Sequence, residues 1–536
     1  MATLNYKTPG VYIEEITTLP PSVAEVETAI PAFIGFTETG VRNDPRRIAS
    51  LVEYQEYFGY AEIERGISVT VEKSANNPSE ARVLHVSIDP ATKSKNVLYY
   101  ALQLYFANGG GPCYIVSAGN FADSAGNPRE AYGNALLASS KEDEPTLLVF
   151  PDAPFTLNAA DYYGLMNDAL AECSRLGDRF TIVDVLSVNN DSLASVAAFR
   201  QAITANLTEA KYGSAYHPYL NTSLDYRYED PETKTPVVKV LLAGDDAAAR
   251  ALDDSRQTAL VARRDADAAR AEVDALKQAS DAGDAEAKKK IPDAEKRARD
   301  LESAAKTAQT AADNAGKAVT EQTWQDQNNA VQNQIRKMIG GLGVQLTPCA
   351  AVAGVYAAVD STRGVWKAPA NVSLNYITST AARITDDDQR DLNVDVVAGK
   401  SVNAIRSFIG MGTKIWGART LAGNDNEWRY VNVRRFFNMV EESIKKSTYW
   451  AVFEPNDKNT WVRVRAMIEN YLYQKWEQGA LAGAKAEDSF YVRVGLGETM
   501  SPVDILEGRM IIEIGLAAVR PAEFIIIRFS HFLQKS

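Results

Sequence analysis

The side chains that most often carry chemistry are sparse in this chain and badly spaced for it. Its 536 residues hold three histidines, His85, His217 and His531, and three cysteines, Cys113, Cys173 and Cys349. A zinc site needs Cys and His ligands in short motifs, and neither HExxH nor CxxC occurs. A hydrolytic triad needs a histidine beside an activated serine, and no G-x-S-x-G surrounds any serine. Gly399-Lys400-Ser401 has the end of a phosphate-binding loop, but Val394 stands where the earlier glycine is required. Gly109-Gly110-Gly111-Pro112 follows a helical pattern, so it reads as a helix stop rather than a dinucleotide fingerprint. Asp386-Asp387-Asp388 lacks calcium-loop spacing and reads as a solvated loop. The cysteines stand far apart in apolar contexts, as small buried hydrophobes of a protein made in a reducing cytoplasm. The pattern predicts no catalytic, cofactor-binding or metal site.

Composition narrows the classes further. Lys and Arg number 57 against 69 Asp and Glu, a net charge of −12, which argues against a nucleic-acid coat. The hydrophobic share of 46% suffices for a sizeable core, and the length allows about three domains. The N-terminal MATLNYKTPGVYIEE has no apolar signal region, so no signal peptide is expected and export would need another route. The most apolar stretch, MIIEIGLAAV at 510–519, is far too short for membrane insertion.

The elements follow from periodicity. TAIPAFIGFT (28–37) reads as a first strand, and 61–95 as irregular β or loop. From Asn96 the chain alternates, with Leu98, Leu102, Tyr105 and Phe106 on one helical face. Strands are expected at 113–118, 146–152, 180–186, 237–244 and 352–360, with helices at 160–176 and 191–204. Apolar strands separated by helices predict a mostly parallel sheet covered on both faces.

Between Gly244 and about 321 the composition shifts to alanine and mixed charge, with no aromatic from Tyr228 to Trp324. Small apolar residues recur in 3-4 spacing at Ala259, Ala262, Ala266, Ala269, Val273 and Leu276. After a break at Ser280–Asp284 the spacing resumes at Ile291, Ala294, Ala298, Leu301, Ala305, Ala308, Ala312, Ala315 and Val319. Two such seams predict an inserted antiparallel coiled-coil hairpin, each arm about 50 Å long, projecting from the surface. Beyond Val365 the pattern is α+β, with helices at about 432–449 and 460–478 and strands at 490–496 and within 509–521.

Both termini are short β-prone segments set off by prolines, Pro20-Pro21 at one end and Pro521 at the other. An uncovered apolar strand invites aggregation unless it pairs within its own chain or joins a partner's sheet. If the two ends join different neighbours, the contact is heterologous and builds an open helical polymer. The residues alone leave both pairings open.

YKTPGVYIEEI (6–16), AGVYAAVDSTRGVWKAPAN (353–371), GMGTKIWGARTL (410–421), NVRRFFNMVEESI (432–444) and RPAEFIIIRFSHF (520–532) together resemble one family. It is that of the contractile tail sheath proteins of myophage-type tails and extracellular contractile injection systems. The resemblance spans the chain apart from the helical insert. One departure is Thr347-Pro348-Cys349, where a PPS-like turn would be expected.

The resemblance implies a non-enzymatic structural subunit whose middle is a subtilisin-like α/β domain. The expected division is an N-terminal arm (1–20), an N-terminal β-rich region (21–95), the α/β domain (96–244 and 321–365), the helical insert (245–320), a tube-facing C-terminal domain (366–520) and a C-terminal arm strand (521–536). It implies self-association as six-fold rings in a helical sleeve around an inner tube, with baseplate and terminal cap proteins as partners. Neither nucleic acid nor a cofactor is implied. Assembly would occur in the producing cell's cytoplasm, as part of a phage tail or an extracellular particle. The arms would add strands to neighbours' C-terminal domains through Val11, Tyr12, Ile13 and Ile16 at one end. Phe524, Ile525, Ile526, Ile527 and Phe529, within 523–529, would serve at the other, with the receiving sheet near 490–519. The 460–478 helix would face the tube, with Glu469, Lys475 and Glu477 as contacts. The rivals are a static coat or baseplate component, and a hydrolase built on the α/β domain.

Overall fold

The alternation of apolar strands and helices builds one sheet of nine strands. In order across the sheet they are Val372–Ser373, Gly412–Ile415, Val402–Phe408, Gly213–His217, Phe180–Asp184, Leu147–Val149, Pro31–Thr37, Cys113–Asn120 and Arg46–Ile48. In this computed structural model the described residues are 22–74, 77–89, 92–188, 191–243, 246–281, 285–316, 319–524 and 526. The six central strands pair in parallel, and antiparallel strands close both edges. Side chains of Pro31–Thr37 divide between two cores, Phe33 to one face and Ala32, Ile34 and Phe36 to the other. Helices Leu98–Ala107 and Cys349–Arg363 cover the first face. Pro128–Ser139, Ala159–Leu176 and Ser192–Ala202 cover the second.

Three expectations are corrected here. The expected strand at 352–360 is the middle of the Cys349–Arg363 helix. Its run is buried on nearly all sides, so periodicity could not separate strand from helix. Gly354 lets it approach its neighbour: a Cβ there would stand 2.5 Å from the Tyr105 carbonyl oxygen. The 61–95 region, read as irregular β or loop, holds an antiparallel pair, Ile67–Ser74 with Asn77–Ile88, whose register shifts between Thr70 and Val71 and between Glu72 and Ser74. The expected 237–244 strand forms as Lys239–Ala243 but joins that pair in a separate four-stranded sheet, not the large one. The large sheet also crosses the expected boundaries at 95/96 and 365/366, since Pro31–Thr37 and Val402–Phe408 both belong to it, each third from an edge.

Helices Asp246–Asp281 and Ala285–Gly316 leave the smaller sheet on Lys239–Ala243 and return on its antiparallel neighbour Val319–Gln322. They run antiparallel, as the pairs Arg270–Glu302 (2.7 Å) and Lys277–Glu295 (2.9 Å) require. Ala269, Val273, Ala294 and Ala298 form their shared core, with Leu276 and Leu301 packed beside it.

A third core lies apart from the large sheet. Helices Val431–Ser447 and Lys458–Glu477 bury Phe436, Met439, Val440, Val464, Ile468 and Leu472 against one another and against the strand pair Phe490–Arg493 and Glu513–Leu516. Val23 and Val26 pack on the same core from the opposite end of the sequence. No helix among the described residues is long and apolar enough to cross a membrane.

Candidate functional site

The carboxyl ends of the parallel strands are where an open α/β sheet would present a ligand site. The polar groups there serve the fold. Asp184, 1% exposed, accepts from the backbone N–H of Cys349 at 2.9 Å and so caps the Cys349–Arg363 helix. Burial pushes its carboxyl up to about 7, against those donors. His217, also 1% exposed, places Nε2 3.0 Å from Ser192 Oγ. Burial pulls its imidazole down to about 4, so it is neutral near pH 7. A triad needs a carboxylate behind the ring to orient it, whereas the hydrogen bond that favours the protonated ring here is to the Val185 backbone, and burial outweighs it. The serine–histidine pair is closed to solvent.

The other chemical-looking motifs are also absorbed by structure. Lys400 Nζ donates to the Arg200 carbonyl at 2.8 Å, and Ser401 Oγ to that of Asn393 at 2.7 Å, so this turn cradles backbone rather than phosphate. Asp386–Asp388 is not a loop. It opens the Asp386–Asn393 helix, where Asp388 accepts from the Thr385 N–H in a capping box. All three cysteines are buried and free.

The expected arm residues Val11, Tyr12, Ile13, Ile16, Ile525, Ile527 and Phe529 lie outside the described residues. Phe524 and Ile526 are 71% and 78% exposed, respectively. Glu523, expected at the start of the free strand, is instead held by its own chain. Arg419 donates to it through Nε (2.9 Å) and Nη2 (2.7 Å), joined by Asn393 Nδ2 (2.8 Å) and Tyr430 OH (3.1 Å). Burial alone would raise this carboxyl, but the surrounding donors outweigh it and hold it below the ordinary glutamate value.

At the other end, residues 22–28 form a strap along the Val431–Ser447 helix. The N–H of Ala24 donates to Ser447 Oγ and that of Val26 to Ser443 Oγ, both at 3.1 Å. Arg435 Nη2 donates to the Thr28 carbonyl at 2.8 Å while its Nη1 pairs with Asp360 at 3.0 Å. The periodicities match: four helical residues rise about 6 Å, and two extended residues span about 6.6 Å. No local pattern signalled these contacts, because the partners come from opposite ends of the sequence.

The Lys458–Glu477 helix starts at Asp457, whose carboxylate accepts from the N–H groups of Asn459 and Thr460. Glu469 and Glu477 lie on its exposed side. Lys475 does not join them. It is 3% exposed, its ammonium engaged by the Glu25 carboxylate and by Gln478 Oε1 at 3.0 Å. Its long apolar stem suits that buried position, and the charge is satisfied internally. The nearby sheet of Phe490–Arg493 and Glu513–Leu516 has two strands among the described residues.

Residues 423–531 match the family model of the phage tail sheath C-terminal domain. The chain is similar to the tail sheath protein of Vibrio phage KVP40, at 24% identity over 179 residues, 33% of this chain. It is similar to that of Enterobacteria phage T4 at 27% identity over 121 residues, 23% of this chain. These stretches span 25% and 18% of the two relatives' own lengths, respectively. The fold is similar to the sheath of the PVC extracellular contractile injection system in its contracted state. That likeness has 28% identity and a TM-score of 0.57, covering 98% of both chains. It is also similar to the contracted helical sheath of the anti-feeding prophage, at 28% identity and a TM-score of 0.56 over 98% of this chain and 99% of that one. Family model, curated relatives and fold agree with the sequence motifs in their similarity to contractile tail sheath proteins.

Proposed function

We propose that this chain is a sheath subunit that polymerises as six-fold rings into a helical sleeve around an inner tube. Contraction of the sleeve drives the tube through a target envelope. The observation that carries this reading is the likeness, over 98% of the chain, to sheaths in the contracted state. The large sheet then serves as a subtilisin-like domain without a working active site. The helix pair 246–316 acts as a coiled-coil hairpin projecting from the outer surface. The domain around the third core faces the tube, with Glu469 and Glu477 outermost on its helix.

The terminal arms would complete the two-stranded sheet of neighbouring subunits. A two-stranded sheet is marginal alone and gains from each strand added. Each backbone hydrogen bond contributes about 1 kcal/mol net, so one arm strand tethers a neighbour by several kcal/mol. Small differences in buried area between the two packings, at about 25 cal/mol per Å², sum over many subunits into a directed release without nucleotide. The sleeve would assemble in the producing cell's cytoplasm and meet baseplate and cap proteins at its ends.

A baseplate role is the second reading, supported by similarity to a chain of the anti-feeding prophage baseplate at 28% identity and a TM-score of 0.55. Negative-stain electron microscopy of the chain expressed alone, beside a variant lacking residues 1–20, separates the two. Long hollow tubes that disappear on truncation are expected for a sheath. A persistent monomer or small closed ring would overturn that reading in favour of the baseplate.

A further inference from the structure

The roots of the two arms meet the same helix. The 22–28 strap runs antiparallel to Val431–Ser447, with Thr28 at Arg435, Val26 at Ser443 and Ala24 at Ser447. Lys475 adds a grip on Glu25 from the adjoining helix. At the helix's other end, Tyr430 is its N-cap residue and donates to Glu523, while Asn432 Nδ2 reaches the Val519 carbonyl at 3.4 Å. Arg419 locks the same Glu523 bidentately. Directly beyond that lock Phe524 is 71% exposed. The helix between these grips is a stiff element. Most of its residues are buried, including Arg434 and Arg435, which hold their own partners Glu441 and Asp360. About 25 Å of helix separates Tyr430 from Ser447.

We propose that the Val431–Ser447 helix is a tie rod, carrying tension from the N-terminal arm to the C-terminal arm through its grips on residues 24–28 and on Glu523. The inference rests on the sheath reading and adds the path by which a pull from one neighbour reaches the next. Arms rooted in an unanchored loop would extend that loop before moving the subunit. Here the strap is held by the helix itself, and Glu523 by Tyr430 at the helix's N-cap together with Arg419 and Asn393 beside it. Ser443, Ser447, Arg419 and Tyr430 act as positioning residues: they touch the arm roots, not the neighbours.

The test uses the full chain with two variants, Ser443→Ala/Ser447→Ala and Glu523→Gln. Both keep side-chain volume nearly constant, and melting temperatures close to the parent's establish that they fold. Hydrogen exchange is read first at residues 22–28. Protection of the Ala24 and Val26 amides in the parent is expected to weaken about tenfold in the double serine variant, the scale set by losing two neutral hydrogen bonds. Tubes of each protein are then sheared and their lengths measured. Both variants are expected to polymerise but to break into fragments several-fold shorter than the parent's.

Variant tubes as long and as shear-resistant as the parent's would overturn the tie rod while leaving the sheath reading intact. A parent that forms no tubes would sink the sheath reading and with it the passage of tension between neighbours. In that case unprotected strap amides in the parent would overturn the grip as well. Shorter sheared tubes from both variants, with parent tubes intact, support the proposal.

Discussion

The large sheet and the helix pair are built from opposite materials. The sheet buries aromatic and branched side chains on both faces: Phe33, Phe36, Tyr105, Tyr132 and Phe180 are all fully enclosed. The helix pair encloses mainly alanines, with Ala259, Ala266, Ala294, Ala298, Ala305 and Ala312 along its seam. An alanine buries one methyl where Phe33 buries a ring, so each contact in the pair contributes a fraction of one in the sheet. Charged groups follow the same division. Burial pushes Asp152, just beyond the strand Leu147–Val149, up to about 7, whereas Glu295 on the helix pair is held below its ordinary value by the Lys277 hydrogen bond and charge. The sheet is a closely packed platform whose polar groups are costly to bury. The helix pair gains its order from close backbone approach and length, which suits an appendage more than a platform.

The contrast breaks most visibly at Phe33. Its ring meets Tyr105 edge-on, with centroids 5.0 Å apart, in the core beneath the Leu98–Ala107 helix. Phe33→Ala is expected to cost about 3–5 kcal/mol of unfolding free energy, read from denaturant midpoints. A cost below 1 kcal/mol would mean that the platform is far more plastic than its packing implies. Next in size is Asp152, which accepts from the N–H groups of Phe36 (2.9 Å) and Val97 (2.6 Å). Its folded-state pKa lies above the unfolded value near 4, so the folded chain binds the extra proton between pH 4 and about 7. Its contribution is therefore most favourable below about pH 4 and declines as pH rises towards 7. Asp152→Asn should flatten that segment of the melting temperature–pH curve. An unchanged slope would assign the pH dependence to other buried carboxyls such as Asp184 or Glu172.

The same division decides what could be read from the sequence. The helices Ala159–Leu176, Val431–Ser447 and Lys458–Glu477 present apolar stripes at helical spacing, and strands such as Cys113–Asn120 and Phe180–Asp184 stand between helical patterns. The Cys349–Arg363 helix was illegible because it is enclosed on nearly all sides, which erases the amphipathic period that separates helix from strand. The Ile67–Ser74 strand was masked by another cause. Ser68 and Thr70 are buried alongside Ile67, Val69 and Val71, and the polar run that follows hid a short alternation. The arm roots left no local trace at all. Val26 finds Ser443 across 417 residues and Glu523 finds Arg419 across 104, and such pairings depend on topology rather than spacing. Lys475 shows the converse: a charged residue near a helix end reads as solvated until Glu25 arrives to cover it.

The smallest effect sharpens the comparison from the side of the helix pair. Arg270 and Glu302 join its two helices at 2.7 Å, with side chains 55% and 45% exposed, respectively. Solvent screens such a pair and the long side chains lose entropy in meeting, so Arg270→Ala should cost about 0.2–1 kcal/mol. The loss should shrink further as salt rises past physiological strength, where exposed charges are screened within about 8 Å. Circular dichroism of the full chain at low and high salt reads this as a slight, salt-sensitive decrease in helical signal. A loss as large as that of Phe33→Ala would mean that the alanine seam contributes little and that the pair is held by its surface charges. It would then respond to ionic strength in a way the buried sheet does not.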